Sequence, residues 1–182
     1  ADAQWLVRMV ENLLSVTRVD AGTVRLSKNA TVLEELIDAV LVKFRKHYPD
    51  IDVHVEIPEE FVSIPMDAML ISQVLMNLLE NAVFHAKGME NLRLRVEVKG
   101  SWAYFYVEDD GCGIPEEKFP KLFTGMLDSE APTDQSRSSM GIGLSVCSAI
   151  IKAHGGEIWA NKRAGGGTEV GFRLEMEDEN GE

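Results

Sequence analysis

The sequence is poor in cysteine and in long apolar stretches. Its two cysteines, Cys112 and Cys147, have the spacing neither of a metal site nor of a disulfide framework, and they suit a reducing compartment. No apolar run approaches the roughly 18 residues that a membrane-spanning helix needs, and the N-terminus lacks the basic and apolar segments of a secretory signal. These absences favour a soluble, cytoplasmic chain that does not itself span a membrane.

Basic residues are also scarce. Lys and Arg number 18 against 30 Asp and Glu, so the formal net charge is −12. Such a surface repels phosphate backbones and anionic lipids, which argues against nucleic acid or a membrane surface as the partner. What is present is a globular balance of 45% hydrophobic and 26% charged residues among 182, enough for one domain. Because the chain opens with Ala1 inside a helical pattern, we expect it to be a piece of a longer protein.

Hydrophobic periodicity predicts four helices and six strands. Thr31 and Glu34 form a capping pair that is expected to start the second helix, and Asp67 is expected to cap the third. We expect an irregular segment at 114–140, with at most one short helix near 116–123. The helices are predicted at 5–19, 32–47, 68–86 and 142–153, and the strands at 23–28, 51–57, 92–99, 102–108, 157–161 and 168–176. This pattern predicts an α/β fold, a two-layer sandwich in which three long helices cover one face of a mixed, mostly antiparallel sheet.

Two asparagines in the third predicted helix are candidates for a metal site. Asn81 projects into the apolar stripe of that helix, and Asn77 lies at the edge of the stripe one turn earlier. A buried carboxamide costs free energy unless it has partners, and a single asparagine is more often satisfied by the backbone. Two asparagines on the same flank favour a shared ligand to which both offer oxygen atoms. Mg²⁺ held against phosphate is a natural candidate.

Three glycine-containing motifs are compatible with a nucleotide. Asp109 ends an aromatic-rich strand and can accept a hydrogen bond from an exocyclic amine, while Gly111 and Gly113 let the backbone approach a flat ring. The segment 141–144, Gly-Ile-Gly-Leu, stands before a predicted helix, where backbone amides and the positive helix end favour phosphate. The segment 165–168, Gly-Gly-Gly-Thr, joins two predicted strands. Each motif alone is equally compatible with an ordinary turn or helix start.

Together and in this order, the motifs resemble the ATP-binding catalytic domain of sensor histidine kinases, in the GHKL superfamily. The segments that resemble the family's boxes are 73–82 (N box), 109–114 (G1), 119–123 (F box), 141–144 (G2) and 165–168 (the last glycine box). The His-Gly-Gly triplet at 154–156 also stands where the family often has one. The N-terminal segment 9–22 is similar to the end of the dimerisation and phosphoacceptor hairpin, so the resemblance covers nearly the whole chain.

The resemblance implies a Bergerat fold in which ATP or ADP lies between helices and sheet under a mobile lid at 126–140. Asp109 would bind the adenine amine, and Asn81 and Asn77 would coordinate Mg²⁺. Glu80 is expected either to be solvated or to act indirectly, by contacting the metal ligands rather than the metal. The remaining positions that the resemblance assigns to the nucleotide are His85, Gly111, Gly113, Ile114, Arg137, Gly141, Ile142, Gly143, Leu144 and Thr168.

The resemblance also implies a division of the chain and a set of partners. The expected parts are 1–22, the end of the dimerisation helix; 23–176, the ATP-binding domain; and 177–182, a frayed acidic tail. The γ-phosphate would pass to a histidine on a dimerisation helix absent from this chain, because neither His85 nor His154 stands where the family has its acceptor. The longer protein would be a homodimeric, membrane-bound sensor with this domain in the cytoplasm, and a response regulator would be its partner.

Three positions depart from the family pattern. Phe84 stands where Lys or Arg is usual, Ser139 replaces the first G2 glycine, and Met126 replaces the second F-box phenylalanine. These departures leave open the alternative that the chain is a nucleotide-binding or degenerate signalling module without phosphotransfer. An ATP-hydrolysing relative of the gyrase or mismatch-repair type is the least favoured alternative, because Asn77 occupies the place of the glutamate general base and cannot take a proton from water.

Overall fold

The computed structural model of the chain describes residues 26–85, 88–111 and 135–176, and for 84–85 and 135–143 it describes the backbone alone. Three helices and seven strands lie in these ranges. In chain order they are β1 (Asn29–Val32), α1 (Leu33–His47), β2 (Val53–Glu56), β3 (Ser63–Met66), α2 (Ala68–His85), β4 (Leu92–Lys99), β5 (Trp102–Asp109), α3 (Gln135–Ala153), β6 (Glu157–Lys162) and β7 (Thr168–Glu175). The predicted parts 1–22 and 177–182 lie outside the described residues.

Five strands form one mixed sheet in the order β2-β4-β5-β7-β6. β2 runs parallel to β4, and the other neighbours are antiparallel. β4 and β5 are the hairpin that the sequence predicts around Gly100, whose φ of 61° suits a tight turn. β1 and β3 pair separately as a two-stranded antiparallel sheet. The predicted α/β sandwich with a mixed sheet is confirmed.

Period-two alternation divides the large sheet into two faces. On the inner face Phe105 of β5 stacks on Phe172 of β7, with ring centroids 4.7 Å apart. α2 contacts β5, α3 contacts β6 and β7, and α1 packs on α2, so the helices cover this face. The opposite face carries aromatic and charged side chains, among them Trp159, which lies over Gly171 so closely that a Cβ there would stand 2.7 Å from its indole nitrogen. The core therefore lies between the helices and the inner face.

The helix ends follow from local hydrogen bonds. Asp67 caps α2 as predicted, since its Oδ1 accepts the Leu70 N–H at 3.3 Å. The predicted capping box of α1 is wrong: Thr31 lies in β1 and its hydroxyl donates to the Asn29 carbonyl at 3.0 Å. The N-cap of α1 is Val32, which makes no side-chain cap hydrogen bond. Thr31, which the sequence pattern assigned to the cap, is therefore part of a paired strand instead.

α3 ends in a Schellman motif at the His-Gly-Gly triplet. Gly155 adopts a φ of 77°, its N–H donates to the Lys152 carbonyl at 2.9 Å, and the Gly156 N–H donates to the Ile151 carbonyl at 2.9 Å. A Cβ on Gly156 would stand 2.1 Å from the Arg173 carbonyl oxygen of β7. The triplet therefore ends the helix and lets the chain pass closely over the sheet.

Several predicted boundaries are wrong. In the predicted strand 23–28 the described residues 26–28 are not strand, and β1 begins at Asn29 instead. β3 was not predicted, because its central Pro65 reads as a strand breaker. The predicted irregular segment 114–140 ends early, since α3 begins at Gln135. Serine and glycine are weak helix formers, but extending an existing helix gains one hydrogen bond for each residue fixed.

Candidate functional site

The carboxylate of Asp109 is the centre of the candidate site. Asp109 is the last residue of β5, it is buried, and its Oδ1 accepts the backbone N–H of Gly111 at 3.0 Å. The backbone N–H of Thr168 also donates to this carboxylate. Burial raises the pKa of Asp109, and the two amide hydrogen bonds oppose that rise without cancelling it. The result is a desolvated acceptor in a fixed orientation at the end of a strand.

The glycine turn between β6 and β7 lies directly on the end of β5. Gly167 adopts a φ of 95°, and a Cβ there would stand 1.9 Å from the Asp109 carbonyl oxygen. Only glycine allows that approach without displacing the backbone. Thr168, the next residue, is buried beside it. The structure thus brings together Asp109, Gly111 and Thr168, which the sequence analysis placed at one adenine pocket.

Arg163 is a part of this site that the sequence analysis missed. Its Nη1 donates to the Asp109 carbonyl oxygen at 2.9 Å, and its Nε lies 3.5 Å from Oε2 of Glu108. No motif pointed to it, because the reach of an arginine across a hairpin depends on tertiary geometry. A basic residue two positions before the three glycines at 165–167 was the available signal.

Glu108 anchors the outer side of the same strand end. It is 4% exposed, and its carboxylate accepts from Arg93 Nη2 at 2.8 Å and from Arg95 Nε at 2.9 Å. Burial alone would raise the pKa of Glu108, but these two charge-assisted hydrogen bonds outweigh burial and lower it. β5 therefore ends between an ionised cluster on one face and the Asp109 site on the other.

Asp110 ties the loop after α2 to the same strand end. Its Oδ1 accepts the backbone N–H groups of Glu90 and Asn91, each at 2.8 Å, and its Oδ2 accepts from Asn91 Nδ2 at 2.7 Å. These hydrogen bonds lower the pKa of Asp110 to about 2. The three bonds fix the backbone that follows Asp109.

The burial of the two asparagines of α2 is the reverse of the predicted order, in which Asn81 projects into the apolar stripe and Asn77 lies at its edge. Asn77 is buried and Asn81 is half-buried. Nδ2 of Asn81 is buried and has no hydrogen-bond partner among the described residues. Since the two ends of a carboxamide exchange by a simple flip, this orphaned atom marks a position where an oxygen ligand could be offered. Within the described ranges no group of three or more His, Cys, Asp or Glu could hold a metal ion.

Glu80 is not solvated, and that alternative of the sequence analysis is wrong. Its side chain is 2% exposed, and its Oε2 accepts the hydroxyl proton of Tyr48 at 3.0 Å. Tyr48 is the C-cap residue of α1, so Glu80 faces the contact between α1 and α2. Glu80 directly precedes Asn81, and the helical rotation of about 100° per residue places the two side chains on different sides of α2.

The predicted phosphate residues lie on α3. Because this helix begins at Gln135, Gly141 and Gly143 stand within it, and the prediction that they lie at its start is wrong. Leu144 is buried in the core, and α3 contacts α2 where Cys147 Sγ lies 3.9 Å from the Val74 carbonyl oxygen. His85 stands on α2, and Arg137 and Ile142 on α3, as backbone positions. Gly113, Ile114, the F-box segment 119–123 and the lid residues 126–134 lie outside the described residues.

His154, which does not stand at the family's acceptor position, has a structural role. Its Nε2 accepts the Asp67 N–H at 3.1 Å, and its Nδ1 lies 2.8 Å from the Ile150 carbonyl oxygen. This pattern requires the neutral ring with the proton on Nδ1. His154 thus joins the end of α3 to the start of α2, the helix that carries both asparagines.

Comparison with known proteins identifies the family of the chain. The family model described as "Histidine kinase-, DNA gyrase B-, and HSP90-like ATPase" matches residues 66–178. The sensor protein KdpD of Clostridium acetobutylicum is 34% identical over 177 residues, which cover 97% of this chain and 20% of that protein. The chain spans 18–30% of the length of the curated sensor proteins that it matches. No helix in the described ranges has the length and apolarity to cross a membrane.

Solved structures give the same result for the fold. The catalytic domain of histidine kinase ThkA superposes with a TM-score of 0.70 at 30% identity, covering 82% of this chain and 96% of that one. ThkA in complex with the response regulator TrrA superposes with a TM-score of 0.74 at 26% identity, covering 96% of this chain and 48% of that one. The predicted resemblance to the ATP-binding catalytic domain of sensor histidine kinases is confirmed. The chain belongs to the histidine kinase-, DNA gyrase B- and HSP90-like ATPase family.

Proposed function

We propose that this chain is the catalytic part of a two-component sensor histidine kinase. It binds Mg-ATP and transfers the γ-phosphate to a histidine on a dimerisation helix of the longer protein. The observation that carries the proposal is the Asp109 carboxylate, buried and oriented by the Gly111 and Thr168 backbone amides beside a glycine turn. Such a fixed acceptor suits recognition of a ligand donor better than a structural role, because burying the charge costs stability.

The ligand donor is the exocyclic amine of adenine. An amine presents N–H to the acceptor, whereas guanine presents a carbonyl at the equivalent ring position and would leave Asp109 facing another acceptor. A nucleotide that offers no donor to this buried acceptor binds several-fold to many-fold more weakly. The site therefore discriminates between adenine and guanine nucleotides.

The asparagines of α2 suit Mg²⁺ bound together with phosphate. Asn81 would be a direct ligand, because its carboxamide has a buried atom without a partner in the described part of the chain, and Asn77 would assist from one turn earlier. Mg²⁺, when bound, neutralises charge on the phosphates. This allows an acidic protein to hold ATP without a large basic surface.

Transfer is favoured over hydrolysis by the residues near Asn81. A hydrolase needs a general base that can take a proton from water, and the carboxamide of Asn77 cannot do so. Glu80 is the nearest carboxylate on α2, but it accepts a hydrogen bond from Tyr48 on the α1 side. Phe84, Ser139 and Met126 leave a second outcome open, in which the chain binds nucleotide without transferring phosphate.

The longer protein is proposed to be a homodimeric membrane sensor, with this domain in the cytoplasm and a response regulator as its partner. The ThkA–TrrA complex, in which a similar kinase meets a response regulator, supports the response regulator as partner. Similarity to the sensor protein KdpD over nearly the whole chain supports the assignment of the longer protein as a sensor.

Titration calorimetry with ATP and GTP, with and without Mg²⁺, tests nucleotide binding. We expect ATP to bind, GTP to bind at least tenfold more weakly, and Asp109→Ala to lose affinity for ATP while the fold persists. Wild-type affinity for ATP in Asp109→Ala would refute the adenine assignment.

Radiolabelled ATP with a longer chain that includes the dimerisation helices tests transfer. We expect acid-labile label on histidine, none with Asn81→Ala, and partial label with Glu80→Gln. The isolated chain should acquire no comparable label. Binding without any transfer in the longer chain would support the degenerate signalling module instead.

A further inference from the structure

We infer that Arg163 is a positioning residue for adenine recognition, acting through Asp109 without touching the base. This inference rests on the proposed function. Arg163 follows the end of β6, and its main chain closes the turn to β7. Its N–H donates to the Gly167 carbonyl at 3.1 Å, and its own carbonyl accepts the Gly166 N–H at 3.2 Å. The residue is thereby fixed to the turn that carries Thr168.

The side chain of Arg163 joins that turn to the end of β5. Nη1 donates to the Asp109 carbonyl oxygen at 2.9 Å. From the other direction, the Thr168 N–H donates to the Asp109 carboxylate. The turn therefore holds Asp109 at two points, one on its main chain and one on its side chain. Two such points fix the rotation of the Asp109 peptide, and with it the direction in which the carboxylate presents its free lone pairs.

A buried anion holds the Arg163 guanidinium in place. Nε of Arg163 lies 3.5 Å from Oε2 of Glu108, while Arg93 and Arg95 bind the same carboxylate at 2.8 and 2.9 Å. Arg163 thus spans two acceptors on consecutive residues, Glu108 and Asp109. A planar guanidinium can serve both at once, whereas a lysine ammonium on a flexible stem cannot reproduce that geometry.

The close contact at Gly167 makes the position of Asp109 sensitive to this bridge. Because Gly167 has no side chain, the turn lies against the Asp109 carbonyl, and the Arg163 hydrogen bond to that carbonyl holds the turn there. Without the bridge the turn can move away, and the Thr168 amide moves with it. The carboxylate would then lose one of its orienting hydrogen bonds, which weakens selection of the adenine amine more than it weakens binding of phosphates.

The test compares ATP with purine riboside triphosphate, which lacks the exocyclic amine, by calorimetry at fixed Mg²⁺. The measured quantity is the ratio of the two affinities, so that contributions from phosphate and Mg²⁺ cancel. We expect Arg163→Ala to reduce this ratio by about tenfold, and Arg163→Lys by about threefold or more. The matched control is Arg93→Ala, which removes a hydrogen bond to the same Glu108 carboxylate; the side-chain hydrogen bonds of Arg93 in the described ranges go to Glu56 and Glu108. It should lower the melting temperature and leave the ratio unchanged.

The outcomes separate the inference from the proposed function. An unchanged ratio in Arg163→Ala, or an equal fall in Arg93→Ala, overturns the positioning role. Should Arg163→Ala fail to fold, Arg163→Lys decides in the same way, because it keeps the charge and one donor. A wild-type chain that binds ATP no more tightly than purine riboside triphosphate would refute the adenine assignment itself, whatever the variants do.

Discussion

Glu108 and Asp109 are adjacent carboxylates at the end of β5 that face opposite sides of the sheet. Glu108 lies on the outer face among arginines, while Asp109 lies on the helix-covered side and accepts backbone amides. Strand geometry alone produces this separation, because consecutive side chains point to opposite faces. The two groups have opposite pKa shifts, lowered for Glu108 and raised for Asp109. One carboxylate stabilises the strand end, and the other is held there at a cost.

Glu108→Gln is expected to destabilise the fold by about 1–3 kcal/mol at pH 7, since hydrogen bonds between charged groups are weakened at a buried site. The folded-state pKa of Glu108 lies below the ordinary value of 4.5. Its contribution is therefore present above about pH 4.5 and is lost as pH falls through the lowered pKa. Urea unfolding of wild type and variant at pH 7 and pH 3.5 checks this. A difference that stays constant over that interval would contradict the assignment.

Asp109→Asn is expected to stabilise the nucleotide-free fold, in contrast to Glu108→Gln. The folded-state pKa of Asp109 lies above the ordinary value of 3.8, so ionisation at neutral pH costs folding free energy. Removing the charge should raise the free energy of unfolding of the nucleotide-free protein by up to about 1 kcal/mol while lowering ATP affinity at least tenfold. Chemical denaturation without nucleotide and calorimetry with ATP give the two values. Loss of both stability and affinity would indicate a structural carboxylate.

Much of this site could be predicted from the sequence, because its parts follow local rules. A strand ending in Asp-Asp-Gly and a hairpin turn of three glycines each have a local signature, and adjacency of β5 and β7 then brings Asp109 to Thr168. Helical periodicity places both asparagines on one flank of α2, but it does not predict that Asn77 is the more buried of the two.

The missed features depend on contacts between distant segments. β3 contains Pro65 and pairs with β1, more than 30 residues earlier in the chain, so no local pattern identifies it. Glu80 is buried beside Tyr48, the C-cap residue of α1, and a contact between two helices has no signature in the local sequence. Arg163 gains its role only when the hairpin turn is folded against β5.

His154 makes part of the stability dependent on pH. Burial lowers its pKa below 6.5, and although the hydrogen bond at the Ile150 carbonyl opposes that shift, the lowering prevails. The unfolded chain thus binds a proton more readily, and stability present above about pH 6.5 is lost as pH falls toward the lowered pKa. Protonation would also turn Nε2 into a donor facing the Asp67 N–H. We expect the difference in unfolding free energy between wild type and His154→Gln to shrink from pH 8 to pH 5. A difference that is independent of pH would refute this account.

Gly167→Ala is expected to impair both folding and nucleotide binding. A Cβ at this position would stand 1.9 Å from the Asp109 carbonyl oxygen, so the turn or the strand end must move. The neighbouring Gly166 is a matched control, because its φ of 113° is equally unusual but a Cβ there meets nothing within 4 Å. Gly166→Ala should therefore cost only the backbone strain, roughly 1–2 kcal/mol. Gly167→Ala should cost more than this and should also lower ATP affinity, since the Thr168 amide moves away from Asp109. Thermal unfolding and calorimetry on both variants check the difference, and equal losses of ATP affinity would show that strain in the turn, rather than its contact with Asp109, controls the site.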